Sequence, residues 1–194
     1  MDGKPFVLGA ALSILAGILI LSSGTTCFAT DREAAQPERI ARTIECEAAL
    51  DRIAESIPSI SAETKLRRSL AQATFCLPQN TLGILLYAAL QASGNVLATG
   101  QMNEMTVVVT KPLIGASLGR YIFLPCRFLT EETVRHEYGH TLQGYKHGPF
   151  YLLLEGATSF IQASISYLFP AFARDYYDRW PENEADDLGG VDRD

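Results

Sequence analysis

The chain has 194 residues, 47% of them hydrophobic and 20% charged, and a formal net charge of -6. That length suits one domain plus a leader, and the hydrophobic share excludes wholesale disorder. An acidic balance with no basic cluster excludes a nucleic-acid-binding surface.

Phe6 to Leu21 is an apolar run broken only by small residues such as Ser13. Lys4 precedes it, and a small-residue segment ending in Cys27-Phe28-Ala29 follows. The pattern predicts a signal peptide over residues 1–29, cleaved after Ala29. The run is short for a transmembrane span, but Asp2 offsets Lys4, so an N-terminal anchor is the alternative. Both readings send the remainder out of the cytoplasm, to a secreted or periplasmic location, with or without membrane anchoring. Cleavage leaves Cys46, Cys76 and Cys126, an odd number that permits one bridge within a chain. Cys46 and Cys76 flank a predicted helical hairpin and are the expected pair in an oxidising compartment; three buried thiols are the alternative. No Cys-x-x-Cys pair exists, so cysteine is not expected to bind metal.

Residues 31–76 read as two helices. Pro37 suits a first helical turn, Ile40, Ile44, Ala48 and Ile53 recur at helical spacing, Pro58 ends the first helix, and Ser61 caps the second. Pro78 is expected to break that second helix, with Asn80 or Thr81 capping a third through Ala92 before the turn Ser93-Gly94-Asn95. Thr106 to Thr110 is β-branched and predicts a strand, Gly119 to Pro125 predicts another, and together they suggest a small antiparallel sheet. Thr130 then caps a helix whose first turn carries Glu131 and Glu132 and which Gly144 is expected to stop. Phe150 to Phe172 is apolar apart from Glu155 and Gln162. Its length could reach across a bilayer, but those two polar groups are costly in lipid and favour a buried core helix. Pro181 opens a last short helix that Gly189-Gly190 terminates.

The informative string is His136-Glu137-Tyr138-Gly139-His140. On a helix the two histidines lie one turn apart on one face, where their imidazoles can converge on a Zn²⁺ ion. Glu137 flanks them, placed to take a proton from a water at the metal. The bland reading is a helix with two satisfied surface histidines. The capped helix start argues against it, as does Gly139: an interior glycine costs about 1 kcal/mol relative to alanine, and close approach of a substrate backbone would account for it.

A catalytic zinc site takes a third protein ligand and keeps an open position, and three residues offer themselves. His147 follows Gly144, but both come one residue late for the extended His-Glu-x-x-His-x-x-Gly-x-x-His pattern, and no methionine lies downstream; otherwise His147 is a loop residue beside Lys146. Glu155 sits in the apolar stretch, where a buried carboxylate needs a partner, either the metal or an arginine. Glu182 and Asp186 are four apart on one helical face, so Glu182 could bind the metal while Asp186 holds the outer nitrogen of a ligand histidine. A solvated acidic terminal helix is the alternative for that pair.

With these motifs the chain resembles the gluzincin metallopeptidases, most of all the HtpX-like and CAAX-prenyl-protease group and the soluble minigluzincins. There a His-Glu-x-x-His helix is followed by a helix carrying Glu-x-x-Ala-Asp, matched here by Glu182-Asn183-Glu184-Ala185-Asp186. The resemblance spans residues 103–190. It implies His136, His140 and Glu182 as zinc ligands, Glu137 as catalytic base, and Asp186 as the residue behind a ligand histidine. It also implies that an edge strand before the active-site helix binds substrate in extended form, Arg120 to Leu124 or Thr106 to Thr110 being that strand. Two departures stand out. Only the stretch Phe150 to Phe172 lies between the motifs where membrane members insert spanning helices. Only Arg193 follows Glu182 as an oxyanion-stabilising side chain, so Tyr176, Tyr177, Arg179 or His147 would have to take that role.

The expected architecture is α+β and zincin-like. A helical N-terminal region over 30–80 precedes a metallopeptidase domain over 81–194 with a small antiparallel sheet, an active-site helix and a C-terminal ligand helix. The expected activity is zinc-dependent hydrolysis of peptide bonds in a peptide or protein substrate; residues 6–21 or 150–172 are the segments through which membrane association is possible. The competing readings are a non-catalytic zinc-stabilised binding module and a small membrane-associated structural protein in which the histidine pair is incidental.

Overall fold

The structure is a computed structural model that describes residues 36–111, 115–169 and 171–193. Residues 1–29, expected to be a signal peptide or anchor, fall outside the described residues. The fold is α+β, mostly helical around one small mixed sheet. Among the described residues the elements are α1 (Gln36–Ser56), α2 (Ala62–Ala73), α3 (Leu77–Ala92), β1 (Val96–Met102), β2 (Met105–Thr110), β3 (Ala116–Leu118), β4 (Tyr121–Pro125), α4 (Glu131–His147), α5 (Ala157–Leu168) and α6 (Glu182–Gly189). Ser61 caps α2 as expected, its hydroxyl accepting from the Thr64 N–H at 3.2 Å. Pro78 does not delay α3; it sits in the first turn, where a missing N–H costs nothing.

The sheet has the order β1-β2-β4-β3. It is mixed, which corrects the expected antiparallel arrangement. After β2 the chain passes to the outer edge, forms β3, and turns back at Gly119 (φ 62) so that β4 inserts beside β2 and parallel to it. The sequence already carries the reason. Every residue of β2 is buried, and an unbroken run of β-branched residues suits a strand covered on both faces rather than one with a solvated side. Val107, Val109, Ile122 and Leu124 face a core built with Leu50 and Ile53 of α1 and Val134 of α4. Val108 and Phe123 face Leu86 and Leu90 of α3. β1 was not expected; Gly100 and Gln101 interrupt its apolar pattern. The two strands expected to offer an edge to substrate are both interior, and the free edge beside α4 is β3.

Cys46 on α1 is bonded to Cys126, just after β4, with Cα atoms 5.8 Å apart. This corrects the expected Cys46–Cys76 pair. Cys46 points inward from α1 toward the sheet, whereas Cys76 lies at the start of α3 under the far end of α4, where its buried thiol donates to the Gly144 carbonyl at 3.3 Å.

The apolar stretch after α4 is not one buried helix. It is broken into a 3-10 turn (Gly148–Phe150), a π-turn (Leu152–Gly156) and α5. Tyr151, Glu155, Ser159, Ala163 and Ser166 form its buried stripe, while Leu153, Leu154, Ile161 and Leu168 point outward. The inward face is thus the more polar one. No single described helix is long and apolar enough to cross a membrane; the bent pair α2 and α3 meets the length and composition test only when taken together.

Candidate metal centre

α4 starts where the sequence indicates: the Thr130 hydroxyl accepts from the Thr133 N–H at 3.1 Å. It does not stop at Gly144 but runs to His147, and Gly148, with a φ of 57°, closes it. Val134 of α4 faces the sheet core, and His136, Glu137 and His140 are all buried against neighbouring elements.

α6 runs antiparallel to α4, residue 139 facing 185 and residue 135 facing 189. A Cβ at Gly139 would come 1.8 Å from the Ala185 carbonyl oxygen, and one at Gly189 would come 2.1 Å from that of Arg135. The two helices therefore touch backbone to backbone. Gly139 serves this contact, not the approach of a substrate backbone, and it sets the depth at which Glu182 and Asp186 enter.

The result is a buried group of three ligand-capable side chains, His136, His140 and Glu182, that could hold a metal ion. Glu182 Oε2 lies 3.2 Å from His136 Nε2 and 3.5 Å from His140 Nε2. The outer nitrogens are both engaged. His136 Nδ1–H donates to Asp186 Oδ1 at 2.7 Å, and His140 Nδ1–H donates to Gln143 Oε1 at 2.8 Å. The second assignment follows from the amide itself: Gln143 Nε2 donates to the Pro181 carbonyl at 2.8 Å and to Glu184 at 3.1 Å, so its oxygen must be the atom facing His140. With both Nδ1 atoms donating, both Nε2 lone pairs point at the same place as Glu182. That is the tautomer that metal ligation requires.

Asp186 is held in turn. Arg193 donates to it from Nε at 2.6 Å and from Nη2 at 3.0 Å, reaches Glu132 from Nη1 at 2.7 Å, and lies over the Tyr177 ring at 3.7 Å. Arg193 thus braces Asp186 and does not line the cavity over the His136–His140–Glu182 group.

Two further observations fit a cation. Glu182 is 1% exposed, yet its Oε1 has no hydrogen-bond partner, and a buried carboxylate oxygen left unmatched is costly. Burial alone would raise the Glu182 pKa and lower that of His136. Instead the two imidazoles hold Glu182 well below the usual carboxylate range, and Asp186 and Glu182 push His136 up to about 10. The arrangement of carboxylates around the imidazoles favours positive charge at this position.

Glu137 is 2% exposed, and the Ser117 hydroxyl on β3 lies 2.7 Å from both its Oε2 and its backbone carbonyl, two acceptors for one proton. A cavity of about 20 Å³ over this group is lined by Ser117, Glu137, Tyr151, Ser159 and Tyr176 together with His136, His140 and Glu182, room for roughly one water. Of the residues weighed as oxyanion partners, only Tyr176 lines this cavity, within reach of the Ser159 hydroxyl at 3.5 Å. Tyr177 packs edge-on behind His136 with ring centres 5.4 Å apart, Arg179 donates to the Phe172 carbonyl at 3.0 Å, and His147 pairs with Glu155. Glu155 does not reach the group either.

Sequence reasoning missed Gln143, Ser117 and Tyr151. Gln143 had a signal: it is three residues beyond His140, on the same helical face. Ser117 and Tyr151 had none, because their positions depend on strand order and on a helix break. Comparison with protein-family models, curated proteins and solved structures finds no match.

Proposed function

We propose that the chain is a zinc-dependent peptidase of gluzincin type, with His136, His140 and Glu182 as the metal ligands and Glu137 as the general base. The observation that carries this reading is the joint geometry at Glu182, whose one oxygen meets both histidine Nε2 atoms while the other is left without a partner. Two neutral imidazoles and a carboxylate are a donor set suited to zinc. A zinc ion held there would supply Lewis acidity toward a water and a scissile carbonyl. The chain's own residues would do the rest. Glu137, oriented by Ser117, accepts the water proton and delivers it to the leaving amine. Tyr176, or Tyr151 across the cavity, offers a phenol to the developing oxyanion. β3, the free edge beside α4, offers backbone groups to an extended substrate. The outward apolar face of α5 and the π-turn suits association with a membrane, consistent with an extracytoplasmic protein that carries an N-terminal apolar run.

The small cavity favours one second reading. Space for about one water over a deeply buried metal group is also what a zinc-stabilised binding module without turnover would have. A peptide-library digestion with the full chain and with Glu137→Gln separates the two. The peptidase reading expects cleavage that falls by about 10²–10⁴ in the variant while its zinc content is unchanged. Cleavage equal in both proteins contradicts the role of Glu137, and none in either favours the binding module.

A further inference from the structure

His147 and Glu155, which the sequence offered as alternative ligands, do not join the His136–His140 pair; they meet each other. His147 Nδ1 contacts Glu155 Oε1, and a carboxylate oxygen of Glu184 completes a group whose ligand atoms all lie within 4.8 Å of one another. The three side chains come from the last residue of α4, the π-turn and the first turn of α6. Glu155 is 0% exposed; its Oε1 meets His147, and its Oε2 has no hydrogen-bond partner. One imidazole cannot compensate both oxygens, and a carboxylate oxygen taken out of water without compensation is costly. The π-turn that carries Glu155 inward is a local widening of the helix of a kind concentrated at functional sites. The side chains of His147 and Glu184 are 26% and 19% exposed, which leaves a route from solvent to the buried carboxylate.

We propose that His147, Glu155 and Glu184 form a second divalent-cation site, separate from the His136–His140–Glu182 group. One imidazole and two carboxylates suit zinc or a cation of similar borderline character. Glu184 is already oriented, its Oε2 accepting from Gln143 Nε2 and from Trp180 Nε1, each at 3.1 Å. Lys146 contacts Glu184 Oε1, but its side chain is 57% exposed, and its flexible stem lets the ammonium move into solvent when a cation arrives. The cation would clamp the end of α4 to the turn of α6 that begins with Glu182. Gln143, which bonds both His140 and Glu184, ties the two sites together.

The test is zinc stoichiometry of the full chain after chelator stripping, reloading with Zn²⁺ and removal of unbound ion. The expected result is two equivalents in the wild type and one in each of Glu155→Gln, His147→Ala and Glu182→Ala. His147→Ala, at a partly exposed position, guards against a folding failure of the buried variant. Equal zinc in the wild type, Glu155→Gln and His147→Ala overturns the second site. If a single equivalent is lost only in Glu182→Ala, the first centre stands and the second falls. If it is lost only in Glu155→Gln and His147→Ala, the second stands and the first falls.

Discussion

Gly139 of α4 lies directly against Ala185 of α6, so closely that a Cβ on residue 139 would come 1.8 Å from the Ala185 carbonyl oxygen. This contact joins the two sequence motifs. His136 and His140 sit either side of Gly139 on one helix, and Glu182 and Asp186 sit either side of Ala185 on the other, so the depth of the crossing decides whether Glu182 reaches both imidazoles.

Gly139→Ala should therefore separate the helices. Overpacking of a tight contact costs about 1–3 kcal/mol, occasionally more, and here the opposing atoms are backbone that cannot rotate away. Thermal unfolding and zinc titration of the variant should show a lowered melting temperature and weakened metal binding together. Unchanged values of both would mean that the crossing does not set the site.

Gln143→Leu should weaken metal binding by roughly 10–100-fold, the usual effect of removing an outer hydrogen-bond partner of a ligand histidine. The substitution frees the His140 Nδ1–H and strips a donor from the Pro181 carbonyl. Competition with a chromophoric chelator reads the affinity. A Gln143→Glu variant restores an acceptor to His140 but turns its second oxygen on the Pro181 carbonyl and Glu184, so it should not recover the full affinity.

pH dependence should differ with and without metal. In the metal-free protein, burial opposes protonation of His136, but Asp186 and Glu182 outweigh it and raise its pKa from 6.5 to about 10. A group whose folded pKa is raised contributes stability that is fully present below its unfolded pKa and is lost as pH rises through the folded one. The melting temperature of metal-free protein should thus fall between pH 6.5 and about 10. Zinc replaces that proton, so the loaded protein should lack this decline, and loading near neutral pH should release protons into a weak buffer. A metal-free protein whose stability is flat over that range would contradict the charge arrangement.

What the sequence reveals about this site follows from what helical periodicity can encode. Spacings of four put His136 with His140 and Glu182 with Asp186 on one helical face each, because that geometry is local, and the structure brings the two faces together. Pro181 and Gly190 bound the last helix for equally local reasons. Ser117 could not be read, since it reaches Glu137 only because the chain leaves β2 for the sheet edge before returning as β4. The same crossing turned an expected antiparallel sheet into a mixed one and placed both strands once expected at the substrate edge in the interior. Cysteine spacing does not specify connectivity, and α1 carries Cys46 to Cys126 rather than to Cys76. Gly139 was visible as an anomaly in a helix, but its cause lay 46 residues away in Ala185, beyond any local pattern.

The most direct test of the central claim is the zinc content of Glu182→Ala against wild type, measured by mass spectrometry on purified full chain. The account predicts that the wild type binds zinc and that the variant loses the equivalent held by His136 and His140. Identical zinc content in the two proteins, or no zinc in the wild type, would contradict it.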